Sequence, residues 1–366
     1  MIEAHWGESP PLSLGVEEEL MLVDAETLEQ RPAVRPLLAE LEPLDGRFKT
    51  ELFAAVVEVN TTVCGSALQA LDEVAALRRA AARAGDRLGL RIAAAATHPR
   101  SVVTAQEIVD DPRYREMVEY AGPSARRQGV NGLHVHVGMP SGDDCLRALE
   151  GVLPWLPVVL ALSANSPYFE GAESGFASAR APVLAELPRS GAPPYFPSYR
   201  DWERHVERLA RLRLPADYTA LWWDVRPHPR FGTLELRMPD QPTAVQRTGG
   251  FVALLQALCA LALDAPARPP DLASRAVYQQ NRWAAARFGL RAELIDPACE
   301  RVAPASELAR ELLARVEPHA HALGTADLLA ALDFDRSESD RQLEVGRAHG
   351  LEAVCRDVAE RSLPSP

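Results

Sequence analysis

Short runs of alternating apolar and polar residues recur along the chain, and each predicts a β-strand with one polar face. In the first run, residues 14–22, Glu17 and Glu19 would share one face, while Glu18 would lie on the other face with the aliphatic residues. Two carboxylates side by side on a mostly buried strand repel each other unless a cation such as Mg²⁺ lies between them. The alternative is an exposed edge strand whose acidic face is solvated.

Further segments repeat this pattern of polar residues on one face of an apolar strand. Their polar residues are Glu58, His134, His136, Asp224, Arg226, Glu235 and Arg237. Glu51 lies seven residues before Glu58 and would share its face only if the chain were helical or irregular there. The sequence leaves that point open.

These segments also have ordinary structural explanations. His134 and His136 can both face a site and ligate a metal, but they can equally be satisfied, half-buried histidines. Glu235 and Arg237 can form an internal salt bridge. The same pattern on strands far apart in the chain favours a functional site.

The remaining apolar periodicity predicts helices. Residues 67–88 read as an amphipathic surface helix with solvated arginines, and 251–263 as a core helix too short to span a bilayer. The chain from about residue 251 is predicted to be mainly helical, with a proline-rich break at 267–270. The proline- and glycine-rich segment 182–199 reads as a long surface loop and a candidate lid.

These elements predict an α+β protein. Helices would cover the dry face of an antiparallel β-sheet, and its polar face would form an open bowl. No convincing linker divides the chain, so we expect one catalytic domain over residues 1–366.

The amino-acid composition limits the classes of protein to which this chain can belong. With 47% hydrophobic and 25% charged residues the chain is not disordered as a whole, and a net charge of −12 argues against a nucleic-acid-binding protein. The five cysteines are scattered, with no zinc or disulfide pattern, and no signal segment opens the chain. We therefore expect a cytoplasmic protein that is not inserted in a membrane.

Glycine-rich phosphate-binding fingerprints are absent from the sequence. If a nucleotide binds, its phosphates must be held by metal ions and arginines. Carboxylates on a sheet face suit Mg²⁺ bridging phosphates, and arginines suit the charge on a transferred phosphoryl group.

Several motifs together carry a family resemblance. They are LGVEEE at 14–19, EVNT at 58–61, GLHVHVG at 132–138, ALSANSP at 161–167, WWDVRP at 222–227 and GTLELR at 232–237. On these motifs the chain resembles the carboxylate-amine ligases of the glutamate-cysteine ligase type 2 family, which includes the bacterial YbdK-like proteins. The segments NRW at 281–283 and RFGL at 287–290 are also similar to that family.

The resemblance implies a fold like that of glutamine synthetase and the guanidino kinases, with ATP and Mg²⁺ as cofactors. It implies that ATP phosphorylates a carboxylate and that an amine then displaces phosphate. Matched by motif, the metal ligands would be Glu17, Glu19, Glu51, Glu58, His134 and Glu235. Glu235 and Arg237 would serve catalysis, with Arg237 near the transferred phosphoryl group. Arg180, Arg226 and His136 would contact ATP or substrate.

The resemblance specifies the ATP machinery better than the substrate pockets. We expect a glutamate-like carboxylate and an amine as small-molecule partners, with weak glutamate-cysteine ligase activity, and no nucleic acid. A homodimer is left open. The alternative functions are a phosphoryl transferase acting on a guanidino or amine group, and a Mg-ATP-binding sensor without turnover.

Overall fold

The computed structural model describes residues 2–42, 46–212, 214, 217–266 and 274–363; the predicted break at 267–270 lies outside these ranges. The strands are β1 (Leu14–Asp24), β2 (Arg47–Thr50), β3 (Val56–Asn60), β4 (Leu90–Ala93), β5 (Leu133–Gly138), β6 (Tyr168–Phe169), β7 (Ala172–Glu173), β8 (Val225–His228), β9 (Thr233–Leu236), β10 (Glu293–Ile295) and β11 (Val302–Pro304).

Helices occupy much of the rest of the described chain. They are α1 (Val34–Glu40), α2 (Ala67–Asp86), α3 (Pro112–Ala121), α4 (Pro123–Arg126), α5 (Gly142–Val152), α6 (Leu156–Ser163), α7 (Arg180–Leu184), α8 (Tyr199–Arg211), α9 (Val245–Asp264), α10 (Ser274–Phe288), α11 (Ala305–Ala322), α12 (Glu338–His349) and α13 (Leu351–Arg361).

The main sheet is antiparallel throughout. Its strand order is β2-β3-β1-β5-β9-β8, and β4 pairs with the far end of β1 beyond β5. The predicted α+β class and antiparallel sheet are therefore confirmed. The bowl shape, the likeness to glutamine synthetase and the single catalytic domain stay predictions.

The strand register brings the predicted polar residues onto one face of this sheet. The cross-strand pairs on that face are Glu17 with Asn60 and His134, Glu19 with Glu58, and Glu235 with His136 and Arg226. Side chains directly opposite each other on antiparallel strands lie within contact distance. Residues from five strands thus form one continuous polar surface.

The other face of the sheet packs against apolar helices. The segments Gly142–Ser163 and Val245–Asp264 are long and apolar enough to cross a membrane by length and composition, but 78% and 89% of their apolar windows are buried inside the protein. Such burial is typical of core helices. The prediction of a short run at 251–263 was wrong in extent, because α9 begins at Val245 and has 20 residues.

Glu18 lies on this apolar face, as strand alternation predicts, but it is not solvated. Its carboxylate accepts hydrogen bonds from Nε and Nη2 of Arg78, both at 2.7 Å, and from Thr248 and Gln241. Arg78 is fully buried and also donates to the carbonyl of Ser362, just after α13. The prediction that the α2 arginines are solvated was wrong for Arg78, because it is the ion-pair partner of a buried glutamate.

The segment near residue 190 is held against the core. Gly191 forms a bridge with Trp223, the Arg275 guanidinium donates to the carbonyl of Pro193 at 2.8 Å, and Phe196 is buried. A lid movement would break these contacts. The lid stays a prediction, and the contacts argue against it.

Candidate functional site

The polar sheet face carries two groups of ionisable side chains. The first, which we term the histidine cluster, contains Glu17, His134, His136 and Glu235. The second, the glutamate cluster, contains Glu19, Glu51 and Glu58. All seven were predicted from the sequence as site residues.

Two histidines surround the Glu17 carboxylate in the histidine cluster. His134 Nδ1 lies 3.2 Å from Glu17 Oε2, and His136 Nε2 lies 3.6 Å from Oε1. His136 Nδ1 is hydrogen-bonded to Thr233 Oγ1 at 2.9 Å, but its buried Nε2 has no hydrogen-bond partner in the part of the chain that the structure describes. One ligand atom each from Glu17, His136 and Glu235 lies within 4.8 Å of the others. This orphan nitrogen and its carboxylate neighbours suit a metal ion.

The protonation states of this cluster also suit metal binding. Burial disfavours the charge on Glu17, but the hydrogen bond from His134 and the nearby His136 imidazole outweigh it and hold the pKa of Glu17 well below its usual range. Burial, and then the nearby charge of Arg237, lower the pKa of His134 to about 4. At neutral pH the cluster therefore offers a carboxylate and a neutral imidazole, which are the ligating forms of both groups.

Glu235 lies between two arginines. Arg226 Nε donates to Oε2 at 2.6 Å and Arg226 Nη2 to Oε1 at 3.2 Å, while Arg237 Nη1 also contacts Oε1. Although burial opposes its charge, the arginines hold the pKa of Glu235 well below its usual range. The internal salt bridge considered from the sequence is thus present. Oε2 accepts one hydrogen bond among the described residues, so a lone pair is left for a cation.

The glutamate cluster concentrates negative charge. Glu19 accepts a hydrogen bond from the Gly132 amide at 2.6 Å, and Glu58 pairs with Lys49 at 3.1 Å. Burial, followed by the charge of Glu51, raises the pKa of Glu19 to about 8, and burial with neighbouring carboxylates raises that of Glu58 to about 7. Buried carboxylates with raised pKa values, such as those of Glu19 and Glu58, are typical of a cation site. Glu51 follows β2 in an irregular segment, the arrangement that the sequence left open.

Arg180 and Arg226 both donate hydrogen bonds to neighbouring groups of the protein. Arg180 is 3% exposed and donates to the carbonyls of Met238 at 3.1 Å and Arg237 at 2.9 Å. Arg226 donates to Glu235 and, through Nη1, to the carbonyl of Thr219 at 2.6 Å. This geometry favours a positioning role over the substrate contact that the resemblance implies.

A cavity of about 610 Å³ opens beside the histidine cluster. Its lining includes Glu17 and His136, the cations Arg47, Lys49 and Arg230, the aromatic Phe231, and the N-terminal residues His5, Glu8 and Ser9. The Phe231 ring is 49% exposed and stacks on His228, with centroids 4.1 Å apart. Its size and mixed lining suit a ligand of nucleotide size.

The cations, Phe231 and the N-terminal residues of this cavity were not predicted from the sequence. Arg47 and Lys49 alternate on a short strand just before Glu51, a signal that could have been used. No pattern in the sequence indicates that His5 and Glu8 line the cavity, because their position depends on how the N-terminal segment packs.

Comparison with known proteins supports a single family. A sequence model of glutamate-cysteine ligase family 2 matches residues 13–344. A Rubrobacter xylanophilus protein provisionally named glutamate–cysteine ligase 2-3 is 41% identical over 98% of this chain and 99% of its own length. A Bordetella avium protein provisionally named glutamate–cysteine ligase 2 is 37% identical, covering 88% of this chain and 80% of its own.

Solved structures show the same fold at low sequence identity. The Francisella tularensis glutamate–cysteine ligase in complex with AMP has a TM-score of 0.74 at 14% identity, covering 97% of this chain and 89% of that one. The ligase PafA in complex with the ubiquitin-like protein Pup has a TM-score of 0.51 at 13% identity, covering 96% and 73%. The resemblance stated from the motifs is confirmed by the family model and the sequence relatives: the chain belongs to glutamate-cysteine ligase family 2.

Proposed function

We propose that this protein is an ATP-dependent carboxylate-amine ligase that forms a γ-glutamyl-type amide bond through an acyl phosphate. One observation carries the proposal: a single sheet face brings the histidine cluster, the glutamate cluster and Arg237 together beside a cavity of about 610 Å³. Family membership and the AMP bound to the Francisella enzyme support the use of ATP.

Both clusters offer ligands for Mg²⁺. Glu17, His136 and Glu235 would hold one ion, because their ligand atoms already converge and His136 Nε2 is otherwise unpartnered among the described residues. The glutamate cluster would hold a second, in the hard oxygen environment that Mg²⁺ prefers. When bound, Mg²⁺ supplies positive charge that offsets the repulsion between phosphates and carboxylates.

The cavity fits the nucleotide. Arg47 and Lys49 stand at its β2 edge and supply positive charge for phosphates, while the exposed ring of Phe231 lies at its β8–β9 edge and offers a face for the base. The triphosphate would then cross the sheet toward the histidine cluster. The acceptor carboxylate would approach from the side of the glutamate cluster.

Two displacements complete the reaction. A carboxylate oxygen of the acid attacks the γ-phosphorus of ATP, the bond from that phosphorus to the β–γ bridging oxygen breaks, and ADP leaves. Arg237 steadies the charge on the transferred phosphoryl group; burial disfavours its charge, but Glu235 outweighs this and raises the pKa of Arg237. The amine nitrogen then attacks the acyl carbon, phosphate leaves, and the amine loses its proton to phosphate or solvent.

The test is ADP release by purified protein with Mg²⁺, ATP, glutamate and a panel of amines, with the products analysed by mass spectrometry. We expect a new mass equal to acid plus amine minus water, and cysteine need not be the best amine. Glu17→Gln and Arg237→Ala should each reduce turnover by about 100-fold or more.

Glu26→Gln, a matched change at an exposed glutamate, should leave turnover unchanged. Turnover at the wild-type rate in both Glu17→Gln and Arg237→Ala would contradict the proposal. A phosphorylated amine in place of an amide would make the protein a phosphoryl transferase, and tight ATP binding with no ADP under any substrate mixture would make it a sensor.

A further inference from the structure

The outer wall of the cavity is formed by the N-terminal segment 2–13, which we term the strap. The His5 amide donates to the carbonyl of Pro229 at 3.0 Å and the Gly7 amide to that of Met139 at 3.1 Å. These carbonyls belong to the segments that follow β8 and β5. The strap is therefore fixed to the same end of the sheet that carries Phe231.

Glycines allow this close approach. At Gly232 φ is +64°, and a Cβ there would lie 2.3 Å from the His5 carbonyl oxygen; at Gly7 φ is +75°, and a Cβ would lie 2.9 Å from the carbonyl oxygen of Pro140. A side chain at either position would push the strap away. The Trp6 ring, edge-on to Tyr199 at 5.3 Å, adds a packing contact.

Charged residues line both sides of the cavity. Arg47 and Lys49 project from β2 at one edge of the sheet, whereas Glu8 and Ser9 lie on the strap, which is fixed to the end of the sheet that carries Arg230 and Phe231. A carboxylate repels phosphate but is a good acceptor for sugar hydroxyls, as in dinucleotide-binding folds where an acidic residue binds the ribose. The Glu8 carboxylate on the strap thus suits the sugar of a nucleotide better than its phosphates.

We propose that the strap is a nucleotide-binding wall, in which Glu8 accepts hydrogen bonds from the ribose hydroxyls of ATP while Phe231 stacks on the base. The inference rests on the proposed function, which requires a nucleotide in this cavity. It adds a determinant of nucleotide specificity that lies outside the sheet and its acidic clusters.

The test is equilibrium binding of a non-hydrolysable ATP analogue with Mg²⁺, measured by calorimetry on the full chain. Glu8→Ala should weaken binding by about 10-fold, as expected for the loss of hydrogen bonds to a charged acceptor. Glu3→Ala is the matched control: Glu3 also binds the His5 imidazole, at 3.1 Å, as Glu8 does at 2.9 Å, but it does not line the cavity. The Glu3→Ala variant should bind the analogue with an affinity within about twofold of that of wild type.

A second readout separates ribose contact from a general loss of structure. Wild type should bind the 2′-deoxy form of the analogue about 10-fold more weakly than the ribose form, and Glu8→Ala should bind the two alike. Wild-type affinity in Glu8→Ala, or unchanged discrimination, would overturn the strap inference and leave the proposed function intact. No analogue binding by wild type would overturn both.

Discussion

Three consecutive glutamates in β1 illustrate what each residue contributes. Alternation along a strand predicts that Glu17 and Glu19 face the site and that Glu18 faces away, and the structure has this arrangement. The sequence could not show that Glu18 is paired with Arg78, because that contact depends on how α2 packs across the sheet. A substitution at Glu18 is therefore expected to act on the stability of the fold, through Arg78.

Glu18→Ala should destabilise the fold by about 3–5 kcal/mol, because it leaves the Arg78 guanidinium buried without its counter-charge. Urea unfolding measures this change. The double variant Glu18→Leu with Arg78→Met should recover part of the loss, since neither charge is then left unpaired. Wild-type stability in Glu18→Ala would contradict the buried pair.

His98 should make stability pH-dependent. Its Nε2 donates to the Leu28 carbonyl and its Nδ1 accepts from the Ser101 amide, so the buried ring is neutral. Burial lowers its pKa from 6.5 to about 4, so the unfolded chain binds the proton more tightly. The contribution of the neutral His98 ring to the free energy of unfolding is complete above pH 6.5. It is lost as the pH falls through 4, by up to about 3 kcal/mol.

Urea unfolding of wild type and His98→Asn at pH 7.5, 6 and 4.5 tests this effect. The stability advantage of wild type over the variant should shrink as the pH falls. His321→Asn, at an exposed histidine, is the control and should show no such trend. A difference between wild type and His98→Asn that is constant with pH would contradict the assignment.

At the scale of elements, the sequence predicted which residues share a strand face but not which strands are neighbours. β5 pairs with β1 more than a hundred residues earlier and with β9 about a hundred residues later. Such long-range pairing is set by tertiary packing and not by local pattern. The same limit applies to Glu51, whose irregular segment has no periodicity to read.

The start of β5 provides a test at this scale. A Cβ at Gly132 would lie 2.2 Å from Arg180 Nη2, and the Gly132 amide also binds Glu19. Gly132→Ala should therefore displace Arg180 and reduce turnover by about 10-fold or more, with a stability loss of about 1–3 kcal/mol. Gly65→Ala, where the nearest atom would be 3.8 Å away, should change neither quantity. Full activity in Gly132→Ala would contradict this role.

At the scale of the whole molecule, the motifs identified the family and predicted an ATP site, while the cavity and its strap became visible only in the structure. A net charge of −12 gives no hint of the cations that Arg47 and Arg230 bring to the cavity, because net charge reports on the chain and not on a site.

The central claim is that this site uses ATP to activate a carboxylate. The most direct measurement incubates the protein with Mg²⁺, ATP, an accepted amine and glutamate labelled with ¹⁸O in its γ-carboxylate, and then analyses the released phosphate by mass spectrometry. Transfer through an acyl phosphate predicts one ¹⁸O atom in each phosphate released with product. Amide formation with release of unlabelled phosphate would contradict transfer through an acyl phosphate.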